Sequence, residues 1–301
     1  MIIMASTKEI QKRIKSIQDT MKITSAMYMI SSSKLRTAKK KLENAEPYFF
    51  TLQSVIARML RHIPEVNNKF FDKRSDIPEQ EKKRGFIVIT GDKGLAGSYN
   101  HNAIKKVQEL LKLGNENRIF AVGELGRQYF AKAGLEVDMH FMYTVQDPNL
   151  HRARVIEDYV LDLFQTGALD EIYIIYTKME DAFHMTAEAK KLLPMEVEDF
   201  SNKNVPHDTY QEDVRLATDA NSLMGRVVAN YVNGFIYGAL VESYCSEQNS
   251  RMMAMETATQ SAKDMITSLS MEYNQLRQAA ITQELTEVIS GAKAQKRKRK
   301  K

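Results

Sequence analysis

The sequence predicts an α/β protein in which N- and C-terminal helices form a long antiparallel coiled coil, joined to a small Rossmann-like α/β domain with a mainly parallel sheet. Three observations predict it. Apolar residues recur alternately four and three apart from Ile10 to Met59, the same rhythm runs from Tyr231 to Ala280, and the stretch between reads as strands alternating with helices. A 3.5-residue period held this long imposes a left-handed supercoil on paired helices. Two such helices in one chain, separated by a compact insert, fold back on each other most simply as an antiparallel hairpin. The expected organisation is a coiled-coil helix over 1–63, a linker over 64–84, an α/β domain over 85–200, a second linker over 201–212, a coiled-coil helix over 213–290 and a basic tail over 291–301.

The first helix carries its seam on Ile10, Ile14, Ile17, Met21, Thr24 and Tyr28, continuing through Leu35 and Leu42 to Leu52 and Ile56. At 1.5 Å per residue it is roughly 85 Å long and the second helix roughly 115 Å, several domain diameters, so length itself reads as functional. Pro47 removes a backbone donor, and a bend or break is expected there. A register in which partner numbers sum to about 290 sets Ile10 against Ala280, Met21 against Leu269 and Leu35 against Met255. It also sets Leu52 on Gly238 and Ile56 on Gly234, large on small. The second helix then outlasts the first, and its seam fades at Gln283 and Glu287. Cys245 lies on the seam and reads as a buried thiol.

In the middle, the run Gly85–Thr90 is a short apolar strand, followed by the glycine-rich turn Gly91-Asp92-Lys93-Gly94-Leu95-Ala96-Gly97 and a helix from about Asn102 to Leu113. Arg118–Val122 is a second strand with a helix after it to about Ala133, and a helix over Ala153–Phe164 leads to a third strand over Glu171–Thr177. Such alternation implies βαβ units and covering helices. Pro64, Pro78 and Pro206 mark the polar linkers.

Composition narrows the class. No run of about 18 apolar residues spans a membrane, no signal-peptide pattern opens the chain, and one cysteine excludes an internal disulfide, so a soluble intracellular protein is expected. Met4 reads as the better start residue. Six of the 43 basic residues form Lys296–Lys301, so the rest of the chain nearly balances its 38 acidic residues. A second basic concentration lies on the first helix, where residues 8–41 hold ten Lys or Arg against Glu9 and Asp19, a face suited to an acidic partner.

Chemistry is sparse. The turn spacing G-x-x-G-x-x-G is neither the dinucleotide fingerprint nor the P-loop. Lys93 precedes the second glycine instead of closing the loop, and Glu124 after the second strand is a weak match to a ribose-binding acid. A tight strand-to-helix turn that needs glycine dihedrals explains the pattern better. The six histidines form no i, i+4 pair, no Cys/His cluster exists, and no catalytic residue, metal ligand or cofactor site is expected.

The run Arg251-Met252-Met253-Ala254-Met255-Glu256-Thr257-Ala258-Thr259, continued through Tyr273-Asn274-Gln275-Leu276-Arg277-Gln278-Ala279-Ala280-Ile281-Thr282-Gln283-Glu284-Leu285 to Gly291-Ala292, resembles the C-terminal signature of the γ subunits of bacterial F-type ATP synthases. Ile14–Ile17, Lys22–Met27 and Ser33–Leu35 are similar to that family's other end, and Asp92–Gly97 resembles its D-R-G-L-C-G turn, with lysine for arginine and alanine for cysteine.

The resemblance implies a non-catalytic rotor shaft. Its coiled coil would sit inside a ring of three α and three β subunits, with the globular part on a membrane ring of c subunits beside the ε subunit, at the cytoplasmic face of the bacterial membrane. Ion flow would turn it and drive the β sites through their states in sequence. Matched positions imply ring contacts for Met27, Arg251, Arg277, Gln278, Thr282 and Glu284, with the shaft's own helices as the alternative partner for Arg251, Gln278, Thr282 and Glu284. Met27 lies off the seam set by Thr24 and Tyr28, which favours a partner-facing role. Ser261 stands where the family often has asparagine, and the basic tail runs past the usual Gly-Ala ending, so if the tip sits in an apolar bearing the tail must emerge into solvent or lie disordered. Neither the coupling ion nor the main direction of operation is encoded in these residues. Two rivals are weighed: a basic coiled-coil nucleic-acid binder, disfavoured by the nearly neutral C-terminal motif, and a dinucleotide enzyme with a helical oligomerisation arm, disfavoured by the missing fingerprint.

Overall fold

The structure, a computed structural model, describes residues 2–62, 68–113, 116–138, 145–201 and 220–298. The linker expected over 201–212 falls almost wholly outside them, as do Pro64, Pro206 and the start expected at Asp213. The chain divides into two compact units, Met1–Ile30 with Met252–Lys301, and Ser31–Arg251.

Two long helices end the chain: α1 over Ile2–His62 and α6 over Ala220–Lys298. The break expected at Pro47 is absent, because α1 runs through it. Glu43, whose carbonyl loses its helical donor, and Pro47 itself are both exposed residues. Thr51 donates back to the Pro47 carbonyl at 2.8 Å.

In the first unit α1 and α6 meet along a seam that buries Ile10, Thr24, Met255 and Ala262. Its register corrects the expected one by a heptad. Thr24 lies against Thr259, hydroxyl to hydroxyl at 2.7 Å, where the expected register would have set it on Ile266. The cause is polar pairing. Against isoleucine the Thr24 hydroxyl would keep only the Met21 carbonyl of its own helix at 3.0 Å, whereas here the two threonines also bond each other, and Thr259 reaches the Met255 carbonyl. This register brings the start of α1 level with Ile281, and from Ile281 to Lys293 every described residue of α6 is exposed. Gln283 and Glu287, the polar seam positions, bond each other there at 3.0 Å.

The second unit is built on a four-stranded sheet, ordered β2-β1-β3-β4, with β1 Arg84–Ile89, β2 Asn117–Val122, β3 Glu171–Met179 and β4 Met185–Leu193. β1 pairs parallel with β2 and with β3, and β4 returns antiparallel to β3. The edge strand β4 is an addition to the three strands expected. Side chains alternate cleanly. Ile87 and Ile89, with Phe120 and Val122, face α4 (Leu150–Gln165) and the inner ends of α1 and α6, which contribute Ile56, Met59, Val228 and Val232. Phe86 and Val88, with Ile119 and Ala121, face α2 (Tyr99–Leu110) and α3 (Glu124–Lys132) through Ile104, Val107 and Phe130. Burial on both faces is why these strands read as continuous apolar runs.

Here too the pairing is one heptad from expectation. The space beside Gly234 is filled by Phe49 and Leu52, and the Phe49 ring stacks 5.1 Å from Tyr231. At the opening end of the sheet, Arg84 and Glu171 face each other as register partners. Arg84 Nε donates to Glu171 at 2.9 Å, and Lys191 and the Tyr173 hydroxyl donate at 3.0 Å each. Burial pushes the Glu171 carboxyl up, but Lys191, Arg84 and Tyr173 outweigh it and hold it at about 2.

Candidate functional site

Ligands of open α/β sheets bind beyond the C-terminal ends of the strands, so that edge is the place to look. β1 ends there in Thr90-Gly91-Asp92. The Thr90 hydroxyl donates to the Val122 carbonyl at 3.1 Å and accepts from Gly126 N–H at 3.0 Å. The Asp92 carboxylate accepts from Glu124 N–H at 3.1 Å, at the first turn of α3, and from Val145 N–H at 3.2 Å. An anion at a helix N-terminus satisfies orphan donors and meets the positive end of the dipole. The N-terminus of α3, after the second strand, is therefore held by this chain's own carboxylate. Gly123 completes the closure: its φ is +100°, and a Cβ there would collide with the Thr90 carbonyl. This glycine lies outside the Gly91-Gly94-Gly97 pattern, and the turn is fastened to α3 rather than opened toward a ligand.

The remaining space is closed by α6. Between Ser243 and Arg251 the helix presents buried polar side chains in place of apolar ones. Ser243 Oγ accepts from Thr177 N–H at 3.0 Å, Ser246 Oγ donates to the Thr177 carbonyl at 2.9 Å, and Asn249 Nδ2 donates to the Ala182 carbonyl at 2.8 Å. Arg251 donates to the carbonyls of Lys93 at 3.1 Å and Gly94 at 3.3 Å and forms a buried ion pair with Glu247. Burial pushes the Glu247 carboxyl up, and Arg251 is the main influence pulling it back. A Cβ on Gly91 would stand 3.2 Å from the Glu247 carboxylate, so a bare glycine lets the helix come this close. A terminal helix is thus riveted by side chains to the edge where an enzyme of this architecture keeps its substrate. Sequence reasoning missed this run, although small polar residues interrupting an apolar heptad (Ser243, Ser246, Gln248, Asn249) were its visible signal.

The residues singled out by motif lie in different settings. Arg251 is buried with its guanidinium engaged as above. Met27 is half-buried, beside the seam position Tyr28. Arg277, Gln278, Thr282 and Glu284 are all exposed on α6, and Thr282 donates its hydroxyl to the Gln278 carbonyl at 2.9 Å. Ser261 is exposed, and Cys245 is buried with its thiol pushed up to about 11 by desolvation. Among the described residues no three His, Cys, Asp or Glu converge to hold a metal ion, and no helix is long and apolar enough to cross a membrane.

A family model described as ATP synthase matches residues 6–295. The ATP synthase gamma chain of Acetivibrio thermocellus is 43% identical over 297 residues, covering 97% of this chain and 100% of the relative. The chain belongs to the ATP synthase gamma-chain family. A further gamma chain, the sodium ion specific one of Acetobacterium woodii, is 34% identical and covers 96% of this chain and 98% of its own length. Among solved structures, the central stalk and c-ring of the Tetrahymena thermophila mitochondrial ATP synthase contains a chain matching with TM-score 0.59 and 25% identity, over 78% of this gamma chain and 99% of that one. A Euglena gracilis mitochondrial ATP synthase chain matches with TM-score 0.66 at 17% identity over 96% of this chain and 94% of that one, a likeness of fold. Membership of this family sets aside the dinucleotide-enzyme reading, and the riveted sheet edge accords with that.

Proposed function

We propose that this chain is the central rotor shaft of a bacterial F-type ATP synthase, coupling transmembrane ion flow to ATP synthesis or hydrolysis at sites on the β subunits. Family membership carries the reading, and the riveting of α6 to the sheet edge supplies its mechanics. A shaft must transmit torque between a globular base and a helical tip, and Ser243, Ser246, Asn249 and Arg251 tie helix to base by directional bonds at four points. The base would rest on the c ring beside ε, at the cytoplasmic face of the membrane, and the chain would be peripheral there. The tip would turn inside the ring of α and β subunits. Different faces of an asymmetric shaft bias chemically identical β sites toward different states, a coupling free energy delivered through differential contacts.

Met27, Arg277, Gln278, Thr282 and Glu284 are the residues we assign to ring contact. The four on α6 are supported by their exposure on a stretch that carries an apolar stripe, Ile281, Leu285 and Val288, 46–70% exposed. Such a stripe with charged neighbours suits an enclosing partner. For Arg251 the assigned contribution is to hold α6 against the glycine turn, from which it acts on ring contacts through the helix. In the reconstituted enzyme Gln278→Ala and Arg277→Ala should lower ATP-driven ion pumping by several-fold while the isolated subunit keeps its circular dichroism. Unchanged pumping in both would remove the case for specific contacts and leave only a bulky shaft.

A further inference from the structure

A cavity of about 470 Å³ lies within the unit of residues 31–251, where α1 passes α6 beside β3. Register creates it. Phe49 and Leu52 fill the space at Gly234, while one turn further along α6 a Cβ on Gly238 would meet no atom within 4 Å. It opens to solvent past Tyr48 and Phe50, and its volume falls in the range that takes drug-sized ligands. Its walls are largely aromatic. Phe49, Phe235, Tyr176 and Tyr237 line it, and Tyr48 and Phe50, also on its lining, are 52% and 45% exposed.

Charge is the second feature. Glu46 and Glu242 both line the space, against one cation, Lys178. Burial pushes the Glu242 carboxyl above its ordinary value; Lys178 pulls it down, Glu188 pushes it up, the Met179 N–H pulls it down and Glu46 pushes again. A carboxylate held in apolar surroundings gains from a positive charge that can follow it there. A small hydrated ion pays heavily in lost water, whereas a charge spread over an organic group does not, and aromatic faces attract it further. The Phe235 ring already carries Lys190 Nζ at 4.9 Å from its centre.

We propose that this cavity binds lipophilic organic cations, with the ligand's aromatic or alkyl groups over Gly238 and its positive charge beside Glu242. A neutral hydrocarbon would fill the space but leave Glu242 less solvated, and a lipophilic anion would meet both carboxylates. The preference for positive charge is therefore built into the lining and separates this site from a plain packing defect.

The test is calorimetric titration of the full chain with tetraphenylphosphonium and with tetraphenylborate, ions of like shape and opposite charge. One saturable phosphonium site and no borate site are expected. Gly238→Leu, which fills the cavity from a helical position with free space, should weaken phosphonium binding at least about tenfold. Glu242→Gln should weaken it severalfold, and both variants should keep the parent's circular dichroism. The proposal is overturned if phosphonium shows no saturable site, if borate binds as well, or if Gly238→Leu leaves phosphonium binding unchanged.

Discussion

Arg251 concentrates the residue-scale chemistry. It and Glu247 are both under a tenth exposed, and each is tolerable there only because of the other and of the two carbonyls that Arg251 also reaches. Removing one member of a buried pair strands the other, at about 3–5 kcal/mol. Arg251→Ala should therefore lower unfolding free energy by that order in urea titration at pH 8, and Arg251→Met with Glu247→Leu should regain most of it. Two further carboxyls set opposite pH dependences. Glu171 is held at about 2, below its ordinary 4.5, so its stabilisation is full above pH 4.5 and lost as pH falls from there toward 2. That loss is on the order of 3 kcal/mol, and Glu171→Gln should show it already at pH 7. Glu157 is pushed to about 7 by burial, with Asn233 at 3.4 Å and the charge of Arg154 offsetting it in part. Here the folded state binds the proton more tightly, so stability is full below pH 4.5 and falls as pH rises through 7. Glu157→Gln, which keeps an acceptor for Asn233, should raise the melting temperature at pH 8 and leave it unchanged at pH 4.5.

At the scale of elements, threonines decide what apolar residues leave open. A heptad pattern matches its partner equally well after a slip of seven, so the apolar positions alone admitted the wrong register. The Thr24–Thr259 bond removes that degeneracy, as a buried polar pair fixes register in other coiled coils. Thr24→Val alone should cost about 0.5–1.5 kcal/mol, the net worth of one hydrogen bond, because Thr259 keeps the Met255 carbonyl, whereas Thr24→Val with Thr259→Val should be close to neutral in stability and less strict in register, a difference that a double-mutant cycle on unfolding free energies measures. Gly123→Ala should destabilise by several kcal/mol, because its positive φ and the Thr90 carbonyl leave no place for a methyl group. The long helices, the three parallel strands and their covering helices were legible because each has a strong period or an unbroken apolar run. β4 was not. As an edge strand, Met-Thr-Ala-Glu-Ala-Lys-Lys-Leu-Leu buries only its final residues, and its composition favours helix. At Pro47 the helix continues without a break, since a lost helical bond costs less at an exposed position. The family's motif positions were legible as sequence, but the inward commitment of Arg251 was not, since the carbonyls it meets lie more than 150 residues away.

At the scale of the whole molecule, the unit of residues 31–251 has its sheet edge closed by α6, and in the other unit α6 is exposed from Ile281 to Lys293 at every described residue. Both features suit the torque-bearing subunit proposed above. The measurement that tests this most directly is rotation. The chain would be co-expressed with its matching α and β subunits, the complex anchored through the ring, and a probe fixed to the globular part of this chain and watched during ATP hydrolysis. The account predicts a stable complex whose probe turns in one direction with three equal steps per revolution. A complex that hydrolyses ATP while the probe stays still, or a chain that fails to join the ring and binds DNA or a nucleotide alone, would contradict it.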